Sequence, residues 1–118
     1  MTESLADKVV LITGGARRLG AAVTRRLHAA GARVAVHYRS SQIEAHALHA
    51  ELLACRPESA VLLQGDLLKS GCAASLVHDT VTAFGRLDAL VNNASSFYAT
   101  PLGEITERSW DDLIGTNL

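Results

Sequence analysis

Four short stretches of this 118-residue chain carry side chains whose types and spacing suit chemistry. The first is Thr13-Gly14-Gly15-Ala16-Arg17-Arg18-Leu19-Gly20, set between an apolar run and an amphipathic segment. A glycine turn between a strand and a helix is suited to holding phosphate. Glycine permits the tight turn, and the helix start offers amide N–H groups that its own ladder leaves free. Gly14 is expected to make that turn, and Gly20 to let the helix pack closely on the sheet. Gly14, Arg17, Arg18, Leu19 and Gly20 are therefore candidate contacts for the pyrophosphate of a dinucleotide. Cations at a helix N-terminus are unfavourable, so a bound anion accounts for Arg17 and Arg18 better than solvent does.

The second stretch, His37-Tyr38-Arg39-Ser40-Ser41, closes the next apolar run. A site for NAD usually places Asp or Glu here to accept from the adenosine ribose hydroxyls. No carboxylate occurs until Glu44. Arg39 offers a fork of donors suited to a 2′-phosphate, and the serines add hydroxyls. His37, Tyr38, Arg39 and Ser40 are thus candidate contacts for NADP(H) rather than NAD(H). The third stretch is Asp66-Leu67, where a carboxylate can accept from the exocyclic amine of adenine or serve as a turn residue of the N-cap kind. The fourth is Asn92-Asn93-Ala94-Ser95-Ser96-Phe97-Tyr98. Two adjacent aromatics stand out in a chain that is 4% aromatic. They would either pack under a loop or give a flat heterocycle a stacking platform. No Gly-Lys-Ser/Thr ends the glycine turn, which argues against a nucleoside triphosphate site.

The elements that must position these residues are legible as an alternation. Lys8 to Thr13, Arg33 to Tyr38, Ala60 to Gln64 and Asp88 to Asn92 are short segments with continuous apolar centres, as in strands buried on both faces of a parallel sheet. Between them lie segments with helical spacing. Arg18 to Ala30 is expected to bury Leu19, Val23, Leu27 and Ala30. Ile43 to Cys55 is expected to bury Ala47, Leu48, Leu52 and Cys55, and Ala73 to Phe84 to bury Leu76, Val77, Val81 and Phe84. A last helix is expected from about Thr106, with Trp110, Leu113 and Ile114 as its apolar side. Gly31 and Gly85 are placed to end helices. Right-handed crossovers then dictate an α/β, Rossmann-like doubly wound parallel sheet of about four strands, order 3-2-1-4, with ligands at the switch point between strands one and four.

Composition narrows the function classes. Apolar residues make up 48% and charged residues 19%, with a net charge of −1, values of an ordinary globular domain without a basic footprint for nucleic acid. No apolar run approaches the roughly 20 residues that span a bilayer, and Met1 to Lys8 lacks the pattern of a signal peptide. Cys55 and Cys72, far apart, are neither a metal motif nor a disulfide framework and read as free thiols of a reducing compartment. Metal ions, nucleic acid and membranes are not expected partners, and the cytoplasm is the expected location.

The turn TGGARRLG, spaced G-x-x-x-R-x-G, resembles the TGxxxGxG turn of short-chain dehydrogenases/reductases. Arg18 stands where that family has its middle glycine, and pteridine reductases are similar in having an arginine there. The NNASSFY stretch resembles the family's NNAG segment, with Ser95 in place of glycine, again as in pteridine reductases. The resemblance runs from about Asp7 to Leu118. It implies that the asparagines stabilise the central sheet and that Asn93, Ala94 and Ser95 lie against the cofactor. It further implies that Asp66 and the Leu67 backbone meet the adenine, that Ser95 and Phe97 contact a pteridine-like substrate with Phe97 stacking on it, and that Asn117 orders a water in a proton relay.

The family's Tyr and Lys, spaced Y-x-x-x-K, have no counterpart, since the tyrosines are Tyr38 and Tyr98 and the lysines Lys8 and Lys69. Residues 1–118 are therefore expected to be the N-terminal part of an NADP-binding domain without its catalytic C-terminal part. Such a chain is expected to be inactive by itself, with one side of its fourth strand unpaired. Full-length family members are commonly homotetramers. The implied function is NADPH-dependent reduction of a dihydropterin or dihydrofolate. A ketoacyl-type short-chain reductase and a non-catalytic NADP-binding module are the alternatives.

Overall fold

The computed structural model describes residues 4–93. Along the chain run β1 (Val9–Thr13), α1 (Arg18–Ala29), β2 (Arg33–Tyr38), α2 (Gln42–Cys55), β3 (Ala60–Gln64), α3 (Cys72–Phe84) and β4 (Ala89–Asn92). The strands form one parallel sheet in the order β3-β2-β1-β4, as the alternation predicts. β1 is central: Leu11 pairs with Ala35 on one side and Leu90 on the other. Among the described residues, β4 pairs with β1 alone. The expected last helix lies outside them.

Side chains alternate across a strand, so a buried parallel strand feeds two cores. Val10, Ile12, Val34 and Val36 point to one face, where Ala21 of α1 and Ala45, Leu48 and Leu52 of α2 pack on them. Leu11, Ala35 and Leu90 point to the other, where Leu76 of α3 covers them. The sheet is therefore wound on both faces. Each fully buried leucine contributes about 1.5–3 kcal/mol of transfer free energy, so Leu48 and Leu52 anchor α2 to the sheet. The first strand is also tied at its start, where Asp88 Oδ2 accepts the Val9 N–H at 2.8 Å and Arg86 donates to Oδ1. That arginine holds the Asp88 carboxyl below its ordinary range.

The helices exist where expected, but their inner faces differ from the apolar stripes. In α1 the buried residues are Gly20, Ala21, Thr24 and His28, while Leu19 is 69% exposed. The cause lies at the helix start. A Cβ on residue 20 would stand 2.1 Å from the Gly14 carbonyl oxygen, so only glycine fits there and its side of the helix must face inward. Residues four and eight positions later then follow onto the same face. Thr24 satisfies itself by donating to the Gly20 carbonyl at 2.8 Å, and His28 Nε2 lies 2.6 Å from Ser59 Oγ.

In α2 the buried face is Ala45, Leu48 and Leu52, whereas Ala47 and Cys55 are exposed. In α3, Ala73, Leu76 and Thr80 are buried, and Val81 is 41% exposed. Phe84 lies beneath the Arg33 guanidinium at 5.4 Å. Gly31 and Gly85 both take positive φ, as the helix ends require.

Candidate functional site

Because all four strands run the same way, their carboxyl ends open on one edge of the sheet. A cleft of about 680 Å³ lies there. Gly14, Arg17, Arg18 and Leu19 line it from the glycine turn, and His37, Tyr38, Arg39 and Ser40 from the exit of β2. Asp66 and Leu67 line it from the exit of β3, and Asn93 from the exit of β4. Ser41, whose hydroxyl the sequence offered with that of Ser40, also lines it, as do Ala16 and Leu68, to which only their neighbours in sequence pointed. Ala94, Ser95, Phe97, Tyr98 and Asn117 lie outside the described residues.

The turn is built by exclusion. Gly14 takes φ 61°, open to glycine at little cost. Gly20 sits behind the cleft wall, pressed on the Gly14 carbonyl. Asn93 Nδ2 donates to that same carbonyl at 3.1 Å. The Asn93 N–H donates to Thr13 Oγ1 at 3.0 Å, and that hydroxyl donates to Asn92 Oδ1 at 2.8 Å. The two asparagines thus lock the end of β4 to the turn after β1.

Arg18 takes φ 51°, in the left-handed region that favours glycine. A side chain there costs roughly 1–2 kcal/mol. The strain explains why glycine is favoured at such a position, although Asp7 and Glu58 also take positive φ.

The electrostatics favour an anion. α1 begins after Arg17, which makes no side-chain capping bond, and no acidic residue occupies the first turn. Its first helical bond runs from the Ala21 N–H to the Arg17 carbonyl. The preceding amides therefore lie outside the ladder, at the positive end of the helix dipole. Three guanidiniums, from Arg17, Arg18 and Arg39, surround the cleft. Arg17 lies 3.8 Å from Glu44 and Arg39 lies 3.6 Å from Asp66. Both pairs are long and well solvated, so each contributes little and yields readily to a stronger anion. Asp66 also accepts the Leu68 N–H through Oδ1 at 3.0 Å. It is thus a turn residue that also stands on the cleft wall.

His37 is buried and bonded at both ring nitrogens. The Gly14 N–H donates to Nδ1 at 3.0 Å, and Nε2 lies 2.8 Å from the Gly65 carbonyl oxygen. Burial pushes its pKa below the ordinary histidine value, partly offset by the bond to Gly65. Sequence reasoning marked His37 as a candidate contact but did not find these partners. Gly14 is 23 residues away and Gly65 is 28, and nothing local signals either. Among the described residues no group of three or more His, Cys, Asp or Glu side chains is arranged to hold a metal ion. No described helix is long and apolar enough to cross a membrane.

Residues 8–118 match the family described as short chain dehydrogenase. Pteridine reductase 1 of Leishmania tarentolae is 43% identical over 120 residues, covering 86% of this chain and 41% of that protein. An uncharacterized oxidoreductase of Methylorubrum extorquens is 34% identical over 114 residues, covering 97% of this chain and 46% of its own length. The 3-oxoacyl-(acyl-carrier-protein) reductase FabG of Staphylococcus epidermidis is 35% identical over 112 residues, covering 95% and 46%. The chain spans less than half the length of each of these relatives.

Proposed function

The chain belongs to the short chain dehydrogenase family, and from that premise we propose that its cleft binds NADP(H) as part of an oxidoreductase acting on a pteridine-like substrate. The observation that carries the cofactor reading is the exit of β2. Arg39, Ser40 and Ser41 line the cleft there, with no carboxylate on that strand end to meet a ribose 2′-hydroxyl. A 2′-phosphate would displace the long, solvated Arg39–Asp66 pair and gain a charge-assisted hydrogen bond. Arg17, Arg18 and the free amides at the start of α1 would hold the pyrophosphate. Asp66 and Leu67 would border the adenine, and Tyr38, which lines the same wall, the adenosine ribose. The fit rests on a site of suitable volume and on a local excess of cations.

When bound, the reduced nicotinamide supplies a hydride. Asn93, Ala94 and Ser95 would border the cofactor at its reactive end, Ser95 and Phe97 would seat a flat heterocycle, and Asn117 would order a water in the proton path. The likeness to pteridine reductase 1 supports the choice of substrate class. A ketoacyl thioester is the second reading, supported by the 35% identity to a 3-oxoacyl reductase. A reducing, cytoplasmic compartment, in which the exposed Cys55 would stay a free thiol, is the location we propose, with a homotetramer as the assembly of the full-length protein.

Titration of the chain with NADPH and NADH, followed by nicotinamide fluorescence, tests the cofactor. NADPH is expected to bind at least tenfold more tightly, and equal or reversed affinities would overturn the reading. In a polypeptide extended to the length of the relatives, NADPH oxidation driven by dihydropterin rather than by a β-ketoacyl thioester decides the substrate. Tight NADPH binding without turnover of either would favour a non-catalytic NADP-binding module.

A further inference from the structure

One residue, His37, holds both amides of the Gly14-Gly15 pair. Its Nδ1 accepts from Gly14 at 3.0 Å and its backbone carbonyl accepts from Gly15 at 3.0 Å. Its Nε2 meanwhile reaches the Gly65 carbonyl at the exit of β3, 2.8 Å away. An amide can only donate, so Nδ1 must present a lone pair; a carbonyl can only accept, so Nε2 must carry the hydrogen. The surroundings therefore select one species, the neutral imidazole protonated at Nε2.

We propose that His37 is a positioning residue for nucleotide binding: its unprotonated Nδ1 sets the glycine turn at the height where the α1 amides and Arg17 meet the pyrophosphate. This rests on the reading that the cleft takes a phosphate-bearing nucleotide. The path from the ring to the site is short. The Gly14 carbonyl, on the residue that His37 grips, is the atom against which Gly20 packs and to which Asn93 Nδ2 donates. Any shift of Gly14 therefore moves the first turn of α1. A second proton on His37 would set an N–H against the Gly14 N–H, with no acceptor between them, and release the turn. The charged groups on the elements around the ring are Arg17 and Arg18 of the turn, Arg39 at the end of β2 and Asp66 at the exit of β3. Burial, partly offset by the bond to Gly65, places protonation of the ring below the ordinary histidine range.

The test compares the wild-type chain with H37N, whose amide oxygen stands near the Nδ1 position and accepts at any pH, and with H37F, which keeps the ring volume and accepts nothing. Hydrogen exchange of the Gly14 amide reads the turn without any nucleotide. Protection is expected in wild type and H37N at pH 8, with loss in H37F and, on acidification, in wild type but not in H37N. NADPH titration then reads the consequence. H37F is expected to bind about tenfold more weakly, as for one lost hydrogen bond, and H37N within about threefold of wild type by the same scale. On acidification wild-type affinity should fall faster than that of H37N. The cofactor's own phosphate titrates near 6 in both cases, so the difference isolates the histidine. Equal Gly14 protection in all three proteins, or parallel pH profiles, would overturn the proposal. Failure of wild type to bind NADPH at pH 8 would instead sink the nucleotide reading, while the exchange data still decide the role of His37. If H37F does not unfold cooperatively, the comparison of wild type with H37N across pH carries the decision.

Discussion

Replacing Gly20 with alanine would put a methyl group where the turn's own backbone stands. The added carbon would lie 2.1 Å from the Gly14 carbonyl oxygen, 2.6 Å from Asn93 Nδ2 and 3.0 Å from the Gly14 carbonyl carbon. Unstrained non-bonded contacts of carbon need about 3.5 Å, so the turn and the helix must separate by roughly 1 Å. Two of the three obstacles are backbone atoms, which cannot swing aside as a side chain tip would. Overpacking of this kind costs about 1–3 kcal/mol. Separation also lengthens the Asn93–Gly14 hydrogen bond, now 3.1 Å, for about 1 kcal/mol more. Alanine in a helix returns about 0.5–1 kcal/mol relative to glycine. The net expectation is a loss of about 2 kcal/mol, or a fall of about 10 °C in the midpoint of thermal unfolding. NADPH affinity should drop at least tenfold, because the amides at the helix start move with the turn. Ala22→Gly is the control. It lies exposed in the same helix and should cost about 1 kcal/mol through propensity alone, with unchanged affinity. If Gly20→Ala unfolds at or above the wild-type temperature and binds NADPH normally, the tight seating of α1 on the turn is not what organises this site.

Arg18→Gly should separate strain from charge. It removes the left-handed penalty of roughly 1–2 kcal/mol but adds glycine's entropy cost of about 0.5–1 kcal/mol; chemical denaturation should show stability within about 1 kcal/mol of wild type, while NADPH binding weakens. Arg39→Asp places a carboxylate at the exit of β2 and should shift the NADPH-to-NADH affinity ratio toward NADH by roughly 10- to 100-fold, the worth of a hydrogen bond to a charged group; an unchanged ratio in paired titrations would remove Arg39 from the 2′-phosphate site. The pH dependence of stability follows from His28 and His37, both held below the ordinary histidine value chiefly by burial, with Arg56 adding to the effect at His28. The unfolded chain binds their protons first, so stability should be full above about pH 6.5 and decline as pH falls from there through the lowered folded values. Denaturant midpoints at pH 8, 6.5 and 5.5 check this, and a midpoint that rises on acidification would contradict the burial of both rings.

The number and order of the strands were readable along the chain because each depends on a local property. Val9–Ile12, Val34–Val36 and Ala89–Val91 are continuous apolar runs, and a run of that length between turn residues pays its desolvation only inside a two-faced sheet. The glycine turn and the basic exit of β2 were readable for the same reason, since Gly14, Arg17, Arg18, Arg39 and Ser40 declare themselves within a few residues of a strand end. The inner face of α1 was not readable. Hydrophobicity singled out Leu19, whereas a contact between Gly20 and the Gly14 carbonyl turned Gly20, Thr24 and His28 inward and left Leu19 at the cleft mouth. The left-handed backbone at Arg18 and the bonds joining His37 to Gly14 and Gly65 were equally hidden. Hydropathy ranks each residue alone. Which way a helix rotates, and which distant amide a buried imidazole meets, depend on distances between segments tens of residues apart, and those distances exist only once the sheet has assembled.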